Sequence, residues 1–248
     1  MNRRSMDDDD ALAALMRRIG GWSAMIGAAL LMAAGIGFGG LTFGSEAETV
    51  LQAIASQPRW YWPTVQLAFA AGSVLWIGAF IGLNTTFHET MARFLGSIGV
   101  VSMVLGTTLH LIDSFISGSA LTSLANDWST APIVDRAEIV RASEMLLMVL
   151  SGTWIAVVVL FHGVPFVLIG MSVARSDRFP RFLRYVGVLA GFGSILTGAL
   201  MLVAPRAVPS ALYYVFAAVG AVWMIGVGYV LKSPPQPALR THDRLQVA

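Results

Sequence analysis

Residues 150–174 read Leu-Ser-Gly-Thr-Trp-Ile-Ala-Val-Val-Val-Leu-Phe-His-Gly-Val-Pro-Phe-Val-Leu-Ile-Gly-Met-Ser-Val-Ala, and His162 is the one ionisable side chain among them. A hydrocarbon core of about 30 Å is crossed by about 20 residues of helix. Inside lipid every backbone N–H and C=O must find a partner within the protein, which leaves helices and closed barrels as spanning structures. The stretch lacks the ten-residue in-and-out alternation of a barrel strand, so helix is the reading.

Five more segments of the same kind flank it: 19–43, 61–84, 92–117, 182–203 and 210–231. The composition agrees. Of 248 residues, 56% are hydrophobic and only 12% charged, and the mean hydropathy is +0.71. Soluble domains carry about 25% charged residues, so a water-soluble enzyme, a disordered chain and a nucleic-acid binder are excluded. The expected fold is all-α: a polytopic bundle of six transmembrane helices. Its parts are a polar segment 1–18, the bundle 19–231 and a Pro-rich flexible tail 232–248. The acidic run Asp7 to Asp10 reads as a solvated or helix-capping stretch. The first apolar run is long enough to span and reads as an uncleaved helix rather than a signal peptide.

Orientation follows from the 15 arginines and Lys232. With the N-terminus inside, twelve of these sixteen basic residues fall on the cytoplasmic side, and Arg59, Arg136, Arg141 and Arg206 fall outside. Both termini are therefore expected in the cytoplasm, and the chain in a bacterial-type cytoplasmic membrane. Trp60, Tyr61 and Trp62 then mark the outer interface. The two longer outer loops, 44–60 and 118–137, each have room for a short surface helix. From 137 to 175 the pattern is continuous helix, longer than one crossing. Either this helix projects outward by several turns, or it breaks near Ser151, Gly152 and Thr153. Gly35, Gly37 and Gly39, and the pair Gly187 and Gly191, suit close packing within the bundle. Arg18, Arg93 and Arg184, each with a glycine two or three residues on, open the odd-numbered helices alike; positive-inside placement explains this without a repeat.

Ionisable residues inside spans are the best pointers to function, because burying them costs at least about 2.5 kcal/mol. Gly106, His110, Asp113 and Ser117 share one face of the third span. Glu144 and His162 lie eighteen residues apart, five full turns, and should face the same way at very different depths. Two arrangements fit the outer acids. In one, Glu138, Arg141 and Glu144 pair with each other at the surface. In the other, His110, Asp113, Arg141 and Glu144 converge on an outer pocket, with Gln66, Trp62, Tyr213 and Tyr214 near it. There Asp113, Glu144 and His110 are the candidate catalytic groups, since a carboxyl group beside a His in a partly dry site can run acid–base chemistry. His162 is either a core histidine bonded to backbone or a ligand or relay group.

No cofactor and no metal is expected. There is no cysteine. No HExxH spacing is present, and the glycines of the first span lack the preceding strand of a dinucleotide fingerprint. Two axial haem ligands from His110 and His162 would sit about 8 Å apart in depth, a poor match to one iron. A transporter would call for inverted repeats or paired broken helices, which the chain lacks. The partners expected are membrane lipids and a lipophilic small molecule, with no nucleic acid; the oligomeric state is open.

One segment carries a resemblance. Phe161-His162-Gly163 through Gly170, then Arg175-Ser176-Asp177-Arg178-Phe179-Pro180-Arg181-Phe182-Leu183, then Gly187 and Gly191, resembles a pattern in bacterial six-helix membrane proteins of unknown function. That resemblance implies the fold and no activity. At the level of architecture the chain is also similar to small integral-membrane terpenoid cyclases, which implies an isoprenoid-like substrate protonated by an acidic residue. The functional expectation is a multi-pass protein binding a lipid or other lipophilic molecule in its bundle. The alternative is an intramembrane acid–base enzyme of cyclase or isomerase type.

Overall fold

The computed structural model describes residues 3–38, 45–204 and 210–233, with side chains described from residue 11 in the first helix and from residue 212 in the last. Among these residues there are nine α-helices and no strand: α1 (Arg3–Gly37), α2 (Ala47–Ala55), α3 (Tyr61–Asn84), α4 (Thr90–Ile116), α5 (Thr122–Thr130), α6 (Arg136–Val157), α7 (Val164–Ala174), α8 (Arg181–Val203) and α9 (Ser210–Lys232). Two π-helical turns, Ser117–Leu121 and Val158–Gly163, join α4 to α5 and α6 to α7 without a loop. Six helical stretches are long and apolar enough to cross a membrane, which makes the chain a multi-pass membrane protein. Of the expected tail 232–248, Lys232 closes α9 and the residues after Ser233 lie outside the described ones, as do Phe43 and Arg206.

Two expectations about the long helices change. The stretch 118–137 is not a separate surface helix from its start. The third span runs on through the first π turn, giving one helical stretch, Thr90–Thr130. The fourth, Arg136–Ala174, keeps α-helix through Ser151, Gly152 and Thr153 and widens instead at Val158–Gly163. The cause of the second widening is local. Pro165 lacks an N–H, and its ring would collide with the carbonyl four residues back. A wider turn just before α7 relieves that collision.

Each π turn is held by its neighbour. Trp62 Nε1 donates to the Ser117 carbonyl at 3.1 Å, and Gln66 Nε2 donates to Ser117 Oγ at 3.2 Å. Across the bundle, Ser102 Oγ donates to the Leu160 carbonyl at 3.1 Å. Gly106 lets α4 reach the same turn; a β-carbon there would lie 2.5 Å from the Leu160 carbonyl carbon.

In lipid, helix association rests on close packing and on interhelical hydrogen bonds of about 0.6 kcal/mol each. Both are present. Gly20 and Gly82 meet where a β-carbon on Gly20 would stand 2.8 Å from the Gly82 Cα. Ser172 Oγ donates to the Ala92 carbonyl at 2.8 Å, and Trp223 Nε1 donates to the Leu183 carbonyl at 2.7 Å. The glycine pair 187 and 191 packs inside the bundle, Gly187 against Trp223 and Gly191 against Gly163 and Val167. Phe182, Tyr185, Leu189, Phe192 and Leu196 form an exposed stripe along α8 at steps of three and four, the face left for acyl chains.

The core divides in two. A large apolar cluster built on Trp76, Phe80, Phe161, Phe166 and Trp223 fills the bundle. A smaller one, with Val50, Leu51, Ile54, Trp62, Leu121 and Leu150, lies under α2 and α5, at the end of the bundle that the arginine distribution assigns to the outside. α2 buries Ala47, Val50, Leu51 and Ile54, the i, i+3, i+4, i+7 pattern of a one-sided helix. At the inner end, Arg184 Nε donates to the Phe179 carbonyl at 3.0 Å and its guanidinium pairs with exposed Asp177 at 3.1 Å. Arg178 reaches the Val230 and Ser233 carbonyls at 3.4 and 3.3 Å. Burial, and then the nearby Arg17, hold the Arg178 guanidinium below its ordinary pKa.

Candidate functional site

Two cavities open between the helices of the outer half. The first, of about 640 Å³, is bounded by the end of α1, the start of α2, and α3, α4 and α6. On α6 the lining positions include Val140, Glu144, Leu147, Ser151 and Trp154 at alternating steps of four and three, with Met148 and Leu150 beside them. On α4 they are His110, Asp113 and Ser114, followed by Ser117 at the start of the first π turn, and α3 adds Trp62, Gln66 and Phe69.

Of the expected site residues, this cavity gathers Trp62, Gln66, His110, Asp113 and Glu144. Asp113 is the sole buried acidic residue among the described ones. The Thr153 hydroxyl donates to its Oδ1. Glu144 is exposed at the rim, as are Glu46 and Glu48. The ion pairing considered between Glu138, Arg141 and Glu144 does not form; among the described residues Arg184 with Asp177 is the one ion pair. Arg141 is exposed and lines neither cavity. It follows Val140 by one residue, which turns it about 100° away from the lining face.

His110 is buried and held in one orientation. Its Nδ1 lies 2.7 Å from Ser73 Oγ, and that oxygen lies 2.8 Å from the Phe69 carbonyl. A carbonyl can only accept, so the Ser73 proton goes to Phe69 and Oγ accepts from His110 Nδ1–H. Nδ1 then carries the ring proton and Nε2 presents a lone pair. The rings of Phe69, Trp154 and Phe161 surround the imidazole with centroids at 5.5, 5.7 and 5.2 Å.

The second cavity, of about 420 Å³, lies deeper between α1, α3, α9 and the π turn Val158–Gly163. It is lined by Trp76, His162, Tyr213 and Tyr214 among aliphatic side chains. Tyr213 and Tyr214 thus belong here and not to the outer pocket where they were expected. His162 Nδ1 lies 3.3 Å from the Tyr213 hydroxyl. His162 does not share a cavity with Glu144, as their eighteen-residue separation, about 27 Å of helix, leads one to expect. Phe38, Phe69 and Trp154 line both cavities and form the partition. His110 and His162 pack against the same ring, Phe161, at 5.2 and 4.6 Å.

Sequence reasoning missed Ser73, Ser114, Thr153 and the partition aromatics. Ser114 had a signal, since it follows His110 by four residues. Ser73 and Thr153 are defined by contacts with another helix, and spacing along one chain does not encode those. Among the described residues no group of three or more His, Asp or Glu side chains is placed to hold a metal ion. Compared with family models, curated proteins and solved structures, the chain matches none of them.

Proposed function

We propose that this chain binds an amphipathic molecule, a lipid or another lipophilic compound, in the outer half of its bundle, and that it does so in a bacterial-type cytoplasmic membrane. The observation that carries this reading is the cavity of about 640 Å³, which joins aromatic walls to convergent polar groups. Small-molecule sites are typically of about 300–1,000 Å³, mostly apolar, with a few placed polar groups. The arginine asymmetry of the sequence supports the choice of membrane.

The test is retention. Protein reconstituted in nanodiscs is washed, and bound amphiphiles are extracted and weighed by mass spectrometry. Ser151→Trp fills the cavity and is expected to reduce retention at least tenfold. Leu189→Trp, on the exposed face of α8, is expected to leave it unchanged. Equal retention in Ser151→Trp and the parent protein would remove the reading.

A second reading has its own observation: Asp113 and His110, whose Nε2 carries a lone pair, line the same cavity. A bound isoprenoid-like substrate could take a proton from Asp113 and return one to His110, as in an acid–base isomerase or cyclase. Asp113→Asn should then abolish turnover by about 100-fold or more while retention persists.

A further inference from the structure

We infer that the outer cavity selects a cationic amphiphile: a lipophilic chain ending in a protonated amine. This rests on the binding reading above and names its ligand class. Four of the lining residues are acidic, Glu46, Glu48, Asp113 and Glu144, and among the described residues no lysine or arginine lines the cavity. The segment 39–44, between α1 and α2 in the sequence, is Gly-Gly-Leu-Thr-Phe-Gly and holds no charged residue.

An acidic rim alone would not make a site. The independent observation is Ser114, a cavity-lining side chain that is 2% exposed and whose Oγ has no hydrogen-bond partner. A buried hydroxyl without a partner costs free energy, and a ligand N–H would satisfy it. Asp113 lines the same cavity, so an ammonium group in it can meet a carboxyl oxygen as well as Ser114. The aromatic faces of Phe69 and Trp154 suit the same charge, because a cation is drawn to a ring quadrupole within about 6 Å. An anionic head group would meet four acids and, among the described residues, no lysine or arginine. A neutral alcohol could bond Ser114 or a carboxyl oxygen but carries no charge for the acids to attract.

Three probes with the same twelve-carbon chain separate these cases: dodecylammonium, dodecanol and dodecanoate. Each is titrated into the full chain in an uncharged maltoside detergent, and occupancy is read by native mass spectrometry. The expected order is dodecylammonium at least tenfold tighter than dodecanol, with dodecanoate weakest. Asp113→Asn should bring dodecylammonium down to the dodecanol level. Because Asp113 is buried and that variant could fail to fold, the exposed triple change Glu46→Gln, Glu48→Gln, Glu144→Gln gives a second arm, with an expected loss of at least threefold for the cation alone. Equal binding of all three probes, or preference for dodecanoate, overturns the cation inference and leaves the binding reading standing. Binding of none, together with no retained lipid, overturns both.

Discussion

The outer cavity and the deeper one share Phe38, Phe69 and Trp154 yet otherwise differ in every polar group they hold. The outer one lies beneath α2 and carries four carboxyl side chains, three of them exposed at the rim. Among the described residues the deeper one is lined by no Asp, Glu, Lys or Arg; its polar groups are those of His162, Tyr213, Tyr214 and the indoles of Trp76 and Trp154, with the histidine already bonded to Tyr213. The difference follows the cost of charge with depth: an ionised group near the membrane surface keeps part of its hydration, while one at the bundle centre loses it. The deeper chamber therefore reads as space for hydrocarbon, and recognition belongs to the outer one.

Four changes would break or sharpen that contrast. The largest effect is expected where α4 meets the π turn Val158–Gly163. Gly106→Val forces side-chain atoms into the Leu160 backbone, and overpacking of this kind costs about 1–3 kcal/mol. The variant should unfold at markedly lower denaturant in detergent, with both cavities lost together; separate loss of one would show that the chambers are independent. Next comes Ser114→Ala. It removes the unpartnered hydroxyl without adding bulk, so amine binding should weaken about tenfold while thermal stability holds or rises slightly. Smaller again is Tyr213→Phe. It deletes one bond to His162 and should lower stability by about 0.5–1.5 kcal/mol, with amphiphile occupancy of the outer cavity unchanged. A loss of occupancy in that variant would mean that the deeper chamber takes part in recognition. The smallest effect belongs to Asp177→Asn at the inner end. Its ion pair with Arg184 is exposed, so its removal should move the melting temperature by an amount worth under about 1 kcal/mol and leave both cavities untouched.

Hydropathy made the spans legible because a 20-residue apolar run has few other fates. The boundaries Tyr61 and Asn84 of α3 coincide with those read from the sequence. The grouping of His110 with Asp113 on one face was legible for the same reason, a regular helix between Gly106 and Ile116. What failed was periodicity carried across an irregular turn. Glu144 and His162 share a face only if every residue between them advances by 100°, and Val158–Gly163 does not. Tyr213 and Tyr214 were assigned to the wrong chamber because a single sequence does not fix which neighbours α9 meets. Arg141 was drawn to the site by its charge, whereas its helix phase points it elsewhere.

The widened turn before α7 also sets a rule of counting. A π turn holds one residue more than the α turn it replaces. Losing one residue from Val158–Gly163 would therefore restore an even ladder and leave the eleven residues of α7 in phase with α6, whereas losing one from the regular stretch of α6 would turn everything after it through about 100°. Phe166 and Ile169 would keep the interior in the first case and leave it in the second. In that six-residue stretch a change of length is a local matter, whereas the same change a few residues earlier re-phases the rest of the fourth crossing.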